Sequence, residues 1–253
     1  MKAKNILYKI KIDKKQLENI SFKFRLCRRK VKIRNCHFSV YAWHPKPWLM
    51  NDSPPISWIL DNVLPNHVIY DIGANRGYFT LAILSHTPNA KIFAFEPNPE
   101  IITKLMANLD LNKARGQVRV IKYALGAEKG VSQFNIACSD SASSIIFTHA
   151  KNRGNGVKSV MEIQVESIDT LVSKKRLPGP NHIKIDTEGF EADILDGAKN
   201  TIKKYRPYVY AEIHVEDGLK THEQQIRQIL SSYRYVIMKY GMQLLCVPRN
   251  NKI

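Results

Sequence analysis

The chain has 253 residues, of which 44% are hydrophobic, and it carries a formal net charge of +17 at pH 7. This length accommodates one α/β domain with a small N-terminal addition and argues against a large second domain. No apolar run approaches the roughly 18 to 20 residues of a membrane span, and no signal peptide is recognisable, so we expect a cytoplasmic protein without a transmembrane segment. The four cysteines lack paired spacing, so they predict neither a zinc site nor a disulfide framework.

Most of the positive charge lies near the N-terminus, where residues 1–40 hold thirteen Lys or Arg residues against two acidic ones. We therefore interpret residues 1–66 as a basic N-terminal extension and residues 67–253 as the main domain. The elements predicted in the extension are strands near residues 21–26 and 37–42 and a helix near residues 56–64.

Two features of the extension leave its role open. One is a dense basic cluster that could contact nucleic acid, an anionic lipid surface or an acidic glycan, or could simply be a solvated face. Its members are Arg28, Arg29, Lys30, Lys32 and Arg34. The other is the aromatic and proline-rich segment at residues 43–48, which either packs as a loop against the domain or forms a lid over the substrate site.

From His67 onward, strand-like and helix-like segments alternate, which is the pattern of a doubly wound, mostly parallel sheet of the Rossmann-like class. Strands are predicted near residues 67–72, 91–96, 118–123, 181–186 and 208–214, with helices near residues 77–86, 98–110, 189–205 and 221–233. Two further strands, at residues 235–240 and 242–247, are joined at Gly241 by too few residues for a crossover helix. They therefore predict an antiparallel hairpin at the edge of a seven-stranded sheet.

The turn after the first strand of the main domain is the most informative part of the sequence. Gly73 permits a tight turn and a close approach of the backbone to a ligand, and Gly77 lets the next helix lie close to the sheet. Glu96 ends the following strand, nineteen residues beyond Gly77. A carboxylate there can accept hydrogen bonds from both hydroxyls of a ribose, so the pattern predicts a site for an adenosine-bearing cofactor.

The choice of cofactor depends on the spacing of the glycines and on Asp71. The dinucleotide fingerprint G-x-G-x-x-G is absent, and Asp71 can face a cationic amino-acid tail directly or through water. S-Adenosylmethionine fits these features, whereas NAD does not. The predicted cofactor-binding residues are Asp71, Gly73, Ala74, Asn75, Gly77, Glu96, Pro97, Asn98 and Ala124, the last of which lies in the loop expected to border the adenine.

The strand near residues 181–186 carries polar side chains where a central strand is usually apolar. A buried Lys184 ammonium requires a carboxylate partner, and the strand pattern offers Asp186 or Glu212. The turn that follows adds Glu188 and Glu191, so that three carboxylates fall within six residues. Glu188 and Glu191 could alternatively do no more than stabilise the start of the next helix.

Two functional roles for this group stay open. Asp186, Glu188 or His214 could act as a general base toward a hydroxyl, with Lys184 completing the predicted catalytic set. Asp186 could instead hold Mg²⁺ together with Glu212 or His214, and the ion would then grip a substrate hydroxyl.

Taken together, these motifs resemble the FkbM-type methyltransferases over about residues 68–214. The resemblance is carried by Asp71-x-Gly73-Ala74-Asn75-x-Gly77, Phe95-Glu96-Pro97, Ser167-Ile168-Asp169-Thr170-Leu171, Lys184-Ile185-Asp186-x-Glu188-Gly189-x-Glu191, Leu195-Asp196-Gly197-Ala198, and Arg206-Pro207 leading to Glu212. It implies S-adenosylmethionine-dependent methylation, typically of a hydroxyl on a polyketide, sugar or glycan. It also implies that the first two motifs hold the cofactor.

Three functions remain to be separated. The first is an O-methyltransferase with a small-molecule or glycan acceptor. The second is a nucleic-acid methyltransferase that uses the basic N-terminus, although no Asn-Pro-Pro-Tyr-like turn follows the strand near residues 181–186. The third is a binding module without catalysis. The sequence names neither the acceptor nor the oligomeric state.

Overall fold

The structure, a computed structural model, describes residues 28–41, 54–138, 143–146, 151–152, 156–213 and 220–249. Its strands are β1 (Arg28–Ile33), β2 (Cys36–Tyr41), β3 (Val68–Ile72), β4 (Lys91–Phe95), β5 (Val118–Ile121), β6 (Ala124–Leu125), β7 (Gly130–Ala137), β8 (Val157–Glu166), β9 (His182–Ile185), β10 (Tyr208–Glu212), β11 (Tyr235–Tyr240) and β12 (Gln243–Pro248). Its helices are α1 (Pro54–Asn62), α2 (Tyr78–His86), α3 (Pro99–Leu111), α4 (Ile168–Ser173), α5 (Glu191–Asp196), α6 (Lys199–Tyr205) and α7 (Lys220–Ser232).

The main sheet has seven strands in the order β11-β12-β10-β9-β3-β4-β5. Strands β10, β9, β3, β4 and β5 are parallel, and β12 pairs antiparallel with both β10 and β11. The chain builds β4 and β5 on one side of β3 and then returns to build β9 and β10 on the other. Ligands of open α/β sheets bind where the strand order reverses, which here is between β3 and β9. The predicted doubly wound sheet with an antiparallel edge hairpin is confirmed.

Each face of the sheet carries its own hydrophobic cluster. Helices α1, α2 and α3 and the hairpin of β1 and β2 cover one face, and helices α4 to α7 cover the other. The insertion between β5 and β9 adds a small three-stranded sheet in the order β6-β8-β7. None of the described helices is long and apolar enough to cross a membrane.

The hairpin of β1 and β2 is part of the domain core. Val31 and Phe38 are buried in the same cluster as α2 and α3. The backbone N–H groups along the outer edge of β2 donate to asparagine side chains at the C-terminal end of α3. Ser39 N donates to Asn112 Oδ1 and Tyr41 N donates to Asn108 Oδ1, both at 2.8 Å. The predicted strand at residues 37–42 is confirmed as β2, whereas β1 was not predicted. The predicted strand near residues 21–26 lies outside the described residues, and the domain boundary at residue 66 stays a prediction.

The sequence prediction of one helix over residues 189–205 was wrong, because the structure has α5 and α6 there. Gly197 lies between them with its α-carbon against the backbone of Gly126, where a Cβ atom would be 2.1 Å from the Gly126 carbonyl oxygen. Asp169 then caps α6, accepting hydrogen bonds from Asn200 N at 2.8 Å and Thr201 N at 2.7 Å. A long-range cap of this kind ends one helix and begins another at a position that local sequence does not mark.

Candidate active site

The turn that follows β3 is packed directly against the end of β9. Gly73 and Gly77 have left-handed φ angles of 72° and 82°. A Cβ atom on Gly73 would lie 1.9 Å from the carbonyl oxygen of Asp186, and one on Gly77 would lie 2.5 Å from the Leu105 side chain of α3. The left-handed conformation therefore favours glycine at both positions, and at Gly73 the backbone contact also leaves no space for a side chain.

A buried ammonium lies at the reversal point of the sheet. Lys184 is 3% exposed. Its Nζ lies 3.2 Å from Asp71 Oδ1 and 3.5 Å from Asp186 Oδ2, and it donates a hydrogen bond of 2.8 Å to the carbonyl oxygen of Gly73. Burial alone would lower the pKa of Lys184, but the negative charges of Asp71, Asp186 and Glu212 outweigh it and raise that pKa above its ordinary value. Lys184 is therefore a charged group that ties the end of β3 to the end of β9.

Asp71, which the sequence predicts to face the ammonium of a ligand, contacts two side chains of the protein, and its role toward a ligand stays a prediction. Its side chain is fully buried, with Oδ1 facing Lys184 and Oδ2 accepting a hydrogen bond of 2.6 Å from Thr80. Of the two predicted partners of Lys184, Asp186 is confirmed as a direct contact. Asp71 was missed, because only the register of β3 against β9, in which Asp71 and Lys184 are paired, brings the two together.

Glu96 follows β4, and backbone groups of two neighbouring turns fix its carboxylate. Asn75 N donates to Oε2 and Asn98 N donates to Oε1, each at 3.0 Å. Burial raises the pKa of Glu96 to about 7, although the two backbone hydrogen bonds act in the opposite direction. Carboxylate oxygens have further lone pairs, so additional hydroxyl donors at this position would favour the charged form.

The remaining predicted cofactor residues surround this carboxylate or lie beyond the next strand. Ala74 belongs to the turn after β3, and its N–H donates to the Phe95 carbonyl oxygen at 3.0 Å. Pro97 connects Glu96 to Asn98, the residue that caps α3. Ala124 begins β6, shortly after the end of β5. Their roles toward a cofactor stay predictions.

Glu191 organises the turn between β9 and α5. Its Oε1 accepts hydrogen bonds from Thr187 N at 3.2 Å and from Gly189 N at 3.1 Å, and the side chain is buried. This contact supports the alternative in which Glu191 stabilises the start of the helix.

Glu188 lies in the same turn and has a left-handed φ angle of 58°. Its carbonyl oxygen accepts a hydrogen bond of 2.8 Å from the buried hydroxyl of Ser144, which belongs to the insertion. Sequence reasoning missed Ser144, since a lone serine in an insertion gives no signal of a contact with a residue 44 positions away. The insertion therefore supports the turn that carries two predicted catalytic residues.

The predicted Mg²⁺ site gains no support from the described residues. Within the described ranges, no three His, Cys, Asp or Glu side chains are grouped so that they could hold a metal ion. Asp186 has the Lys184 ammonium beside it, and Glu212 is buried at the end of β10. His214, the third predicted ligand and a predicted base, lies outside the described residues, as does the possible lid at residues 43–48.

The basic cluster lies on β1 and in the turn after it. All five members of the cluster have exposed side chains, namely Arg28, Arg29, Lys30, Lys32 and Arg34. Arg34 pairs with Asp61 of α1 at 2.6 Å. A face of this kind is compatible with an anionic partner and equally with water.

Three features of this sheet are those of the Rossmann-like methyltransferases. They are the strand order, the antiparallel edge hairpin and the acidic residue, Glu96, that follows β4. The fold is similar to the crystal structure of methyltransferase FkbM from Methylobacillus flagellatus KT, with a TM-score of 0.51 and 18% identity, covering 73% of this chain and 44% of that one. The sequence profile of the methyltransferase FkbM domain matches residues 71–237. The chain therefore belongs to the FkbM family of methyltransferases.

Three methyltransferases are similar to the chain over part of their length. The chain is 32% identical over 171 residues to the hexuronic acid methyltransferase AglP of Haloferax volcanii, an alignment that covers 66% of this chain and 64% of AglP. It is 26% identical over 176 residues to the 2-O-methyltransferase NoeI of Sinorhizobium fredii, covering 66% of this chain and 70% of NoeI. It is 25% identical over 178 residues to the 31-O-demethyl-FK506 methyltransferase FkbM of Streptomyces tacrolimicus, covering 61% and 68%.

Proposed function

We propose that this protein is an S-adenosylmethionine-dependent O-methyltransferase that acts on a hydroxyl of a sugar, glycan or polyketide-like natural product. The position of Lys184 is the observation that supports this most. Its ammonium contacts the Gly73 carbonyl oxygen and lies 3.5 Å from Asp186 Oδ2. One buried cation thus joins the proposed cofactor turn to the proposed base. The names of AglP, NoeI and FkbM support a hydroxyl on a sugar or a natural product as the acceptor.

The residues present suit the proposed cofactor. The turn of Gly73 to Gly77 would hold its methionyl end through backbone groups, and Glu96 would accept hydrogen bonds from its ribose. The Glu96 carboxylate is already oriented by Asn75 N and Asn98 N, so little ordering remains to be done on binding. When bound, S-adenosylmethionine supplies a methyl group on a positively charged sulfur, which an oxygen attacks in a direct displacement.

Asp186 is the residue that we assign as proton acceptor. As the acceptor oxygen forms its new bond to carbon, its O–H bond breaks and the proton passes to a carboxylate oxygen of Asp186. The ammonium of Lys184, 3.5 Å from Oδ2, holds this carboxylate in place, which makes Lys184 a positioning residue. A displacement of this type needs alignment and a proton acceptor and no nucleophilic serine or cysteine. Glu188 and His214 are the other two predicted bases, so variants of these residues are to be assayed together with Asp186→Asn.

The test combines cofactor binding and turnover. Purified protein is incubated with S-adenosylmethionine and a panel of methyl glycosides of hexuronic acids and hexoses, and release of S-adenosylhomocysteine is measured. Asp186→Asn is expected to lower turnover by about 10²-fold or more while still binding S-adenosylmethionine. Glu96→Ala is expected to lose most cofactor affinity in calorimetry. Glu162→Gln, an exposed carboxylate on β8, is the matched control. Absence of cofactor binding by the wild type would overturn the proposal.

The exposed basic residues of β1 keep nucleic acid as a second candidate acceptor. Deleting residues 1–40 would test it poorly, because Val31 and Phe38 belong to the core. Lys30→Glu with Lys32→Glu changes the exposed face alone. A loss of salt-sensitive RNA or DNA binding in this variant, together with methyl transfer to the nucleic acid by the wild type, would favour the alternative. Failure of the wild type to bind S-adenosylmethionine would favour the binding module.

A further inference from the structure

Tyr210 of β10 has a buried phenol whose hydroxyl lacks a partner. The side chain is 3% exposed, and within the described part of the chain its oxygen makes no hydrogen bond. Two other buried tyrosines behave differently, because Tyr70 donates to the Pro178 carbonyl oxygen at 2.5 Å and Tyr235 donates to the Pro207 carbonyl oxygen at 2.7 Å. Leaving a buried hydroxyl unpaired costs free energy that a phenylalanine would not cost. The hydroxyl of Tyr210 is therefore available for a role other than stabilising the fold.

The position of Tyr210 connects it to the candidate active site. In the register of β9 against β10, Tyr210 lies directly opposite Lys184. Its ring stacks on Phe79 in the first turn of α2, with centroids 6.4 Å apart and planes inclined by 4°. Glu212 follows two residues later on the same face of β10, and Asp186 does so on β9, because side chains alternate along a strand.

The surroundings keep the phenol protonated. Burial raises the pKa of Tyr210 above its ordinary value, and the negative charges of Glu212 and Asp186 raise it further. The phenol is consequently a hydrogen-bond donor at every physiological pH. An ionised carboxylate such as that of Glu212 only accepts hydrogen bonds.

One alcohol group satisfies both residues, because its hydroxyl accepts a hydrogen bond from the Tyr210 phenol and donates one to the Glu212 carboxylate. Strand β10 lies on the far side of β9 from the proposed cofactor residues on β3 and β4. Building on the proposed function, we infer that Tyr210 and Glu212 bind a second hydroxyl of the acceptor, adjacent to the one that Asp186 deprotonates. The acceptor class is then a vicinal diol of the kind found in sugars.

Tyr210→Phe tests the inference, because it removes only the hydroxyl. The probes are the methyl glycosides of glucuronic acid, glucose and mannose with their 2-deoxy and 3-deoxy analogues. Binding is measured by saturation-transfer NMR in the presence of S-adenosylhomocysteine, and KM is measured where transfer occurs. We expect about tenfold weaker binding of the parent glycoside and no change for the analogue that lacks the second hydroxyl. Affinity for S-adenosylmethionine stays the same, and the melting temperature stays the same or rises.

Tyr235→Phe is the matched control. It removes a hydroxyl that donates to the Pro207 carbonyl oxygen, so it should lower the melting temperature and leave glycoside binding unchanged. Equal glycoside binding by wild type and Tyr210→Phe would overturn the inference. A wild type that binds the cofactor and none of the glycosides would overturn it as well, whereas a wild type that does not bind the cofactor contradicts the proposed function itself.

Discussion

The carbonyl oxygen of Asp186 occupies the space that a Cβ atom on Gly73 would need, since the two would lie 1.9 Å apart. The proposed cofactor turn and the proposed base are thus joined through main-chain packing as well as through the Lys184 ammonium. Main-chain contacts of this kind leave no freedom to adjust by changing a rotamer. The packing of the sheet therefore fixes the distance between the proposed cofactor turn and the proposed base.

Gly73→Ala should disrupt this contact. The substitution combines a left-handed φ angle of 72° with a clash against backbone, so we expect the free energy of unfolding to fall by about 2 to 4 kcal/mol. Cofactor affinity should fall with it. Urea unfolding and calorimetry measure the two effects. Gly116→Ala is the control, because a Cβ atom there would meet nothing within 4 Å; equal stability of the two variants would contradict the packing argument.

Lys184→Met should destabilise the protein by about 3 to 5 kcal/mol, because it leaves the fully buried carboxylate of Asp71 and the partly buried carboxylate of Asp186 without their cation. Denaturant unfolding at pH 7 measures this. Adding Asp71→Asn should recover part of the loss, since it removes one of the two stranded charges. The control is Lys158→Met, which breaks an exposed pair with Glu100 and should change stability by less than about 1 kcal/mol. A small effect at Lys184 would mean that water reaches the two carboxylates.

Cofactor affinity should rise with pH between about 6 and 8, because the pKa of Glu96 is raised to about 7 by burial and hydrogen bonds from ribose hydroxyls are stronger to its charged form. Below that pKa, binding must first remove a proton and is weakened by up to about tenfold per pH unit. Calorimetry across this range measures the slope. Glu96→Gln should bind more weakly and lose the slope, so any pH dependence that it retains belongs to the ligand or to other groups.

The histidine pair at the opposite end of the sheet should make the fold acid-sensitive. His182 is buried, and its Nε2 lies 3.0 Å from His67 Nδ1. Burial, followed by the charge of His67, lowers the pKa of His182 from 6.5 to about 4. The unfolded chain binds the proton more tightly, so stability is fully present above pH 6.5 and is lost as the pH falls toward about 4.

The loss over that range should be on the order of 2 to 3 kcal/mol, measured by urea unfolding at a series of pH values. His182→Phe removes the titrating group and should flatten this part of the profile. His37→Gln, at an exposed position on β2, should leave the profile as it is. An unchanged acid slope in His182→Phe would assign the sensitivity to other groups.

Much of the fold followed from local pattern. The predicted strand at residues 91–96 is β4 (Lys91–Phe95), and the predicted helix at residues 98–110 is α3 (Pro99–Leu111), because periodicity and capping residues mark such elements within the segment itself. Strand β1 was missed since its charged residues hide the two inward-facing apolar positions, Val31 and Ile33. Helix α6 was missed as a separate element because its cap, Asp169, is distant in sequence.

The sequence by itself determined the doubly wound sheet, the glycine turn and the carboxylate of Glu96, because each depends on the conformation or chemistry of residues close together in the chain. Only the tertiary structure decided that Lys184 pairs with Asp71, that Ser144 supports the turn at Glu188 and that the Tyr210 hydroxyl has no hydrogen-bond partner among the described residues. These relations depend on strand register and on which segments pack together. Register and packing are set by the whole hydrophobic core, so no local segment encodes them.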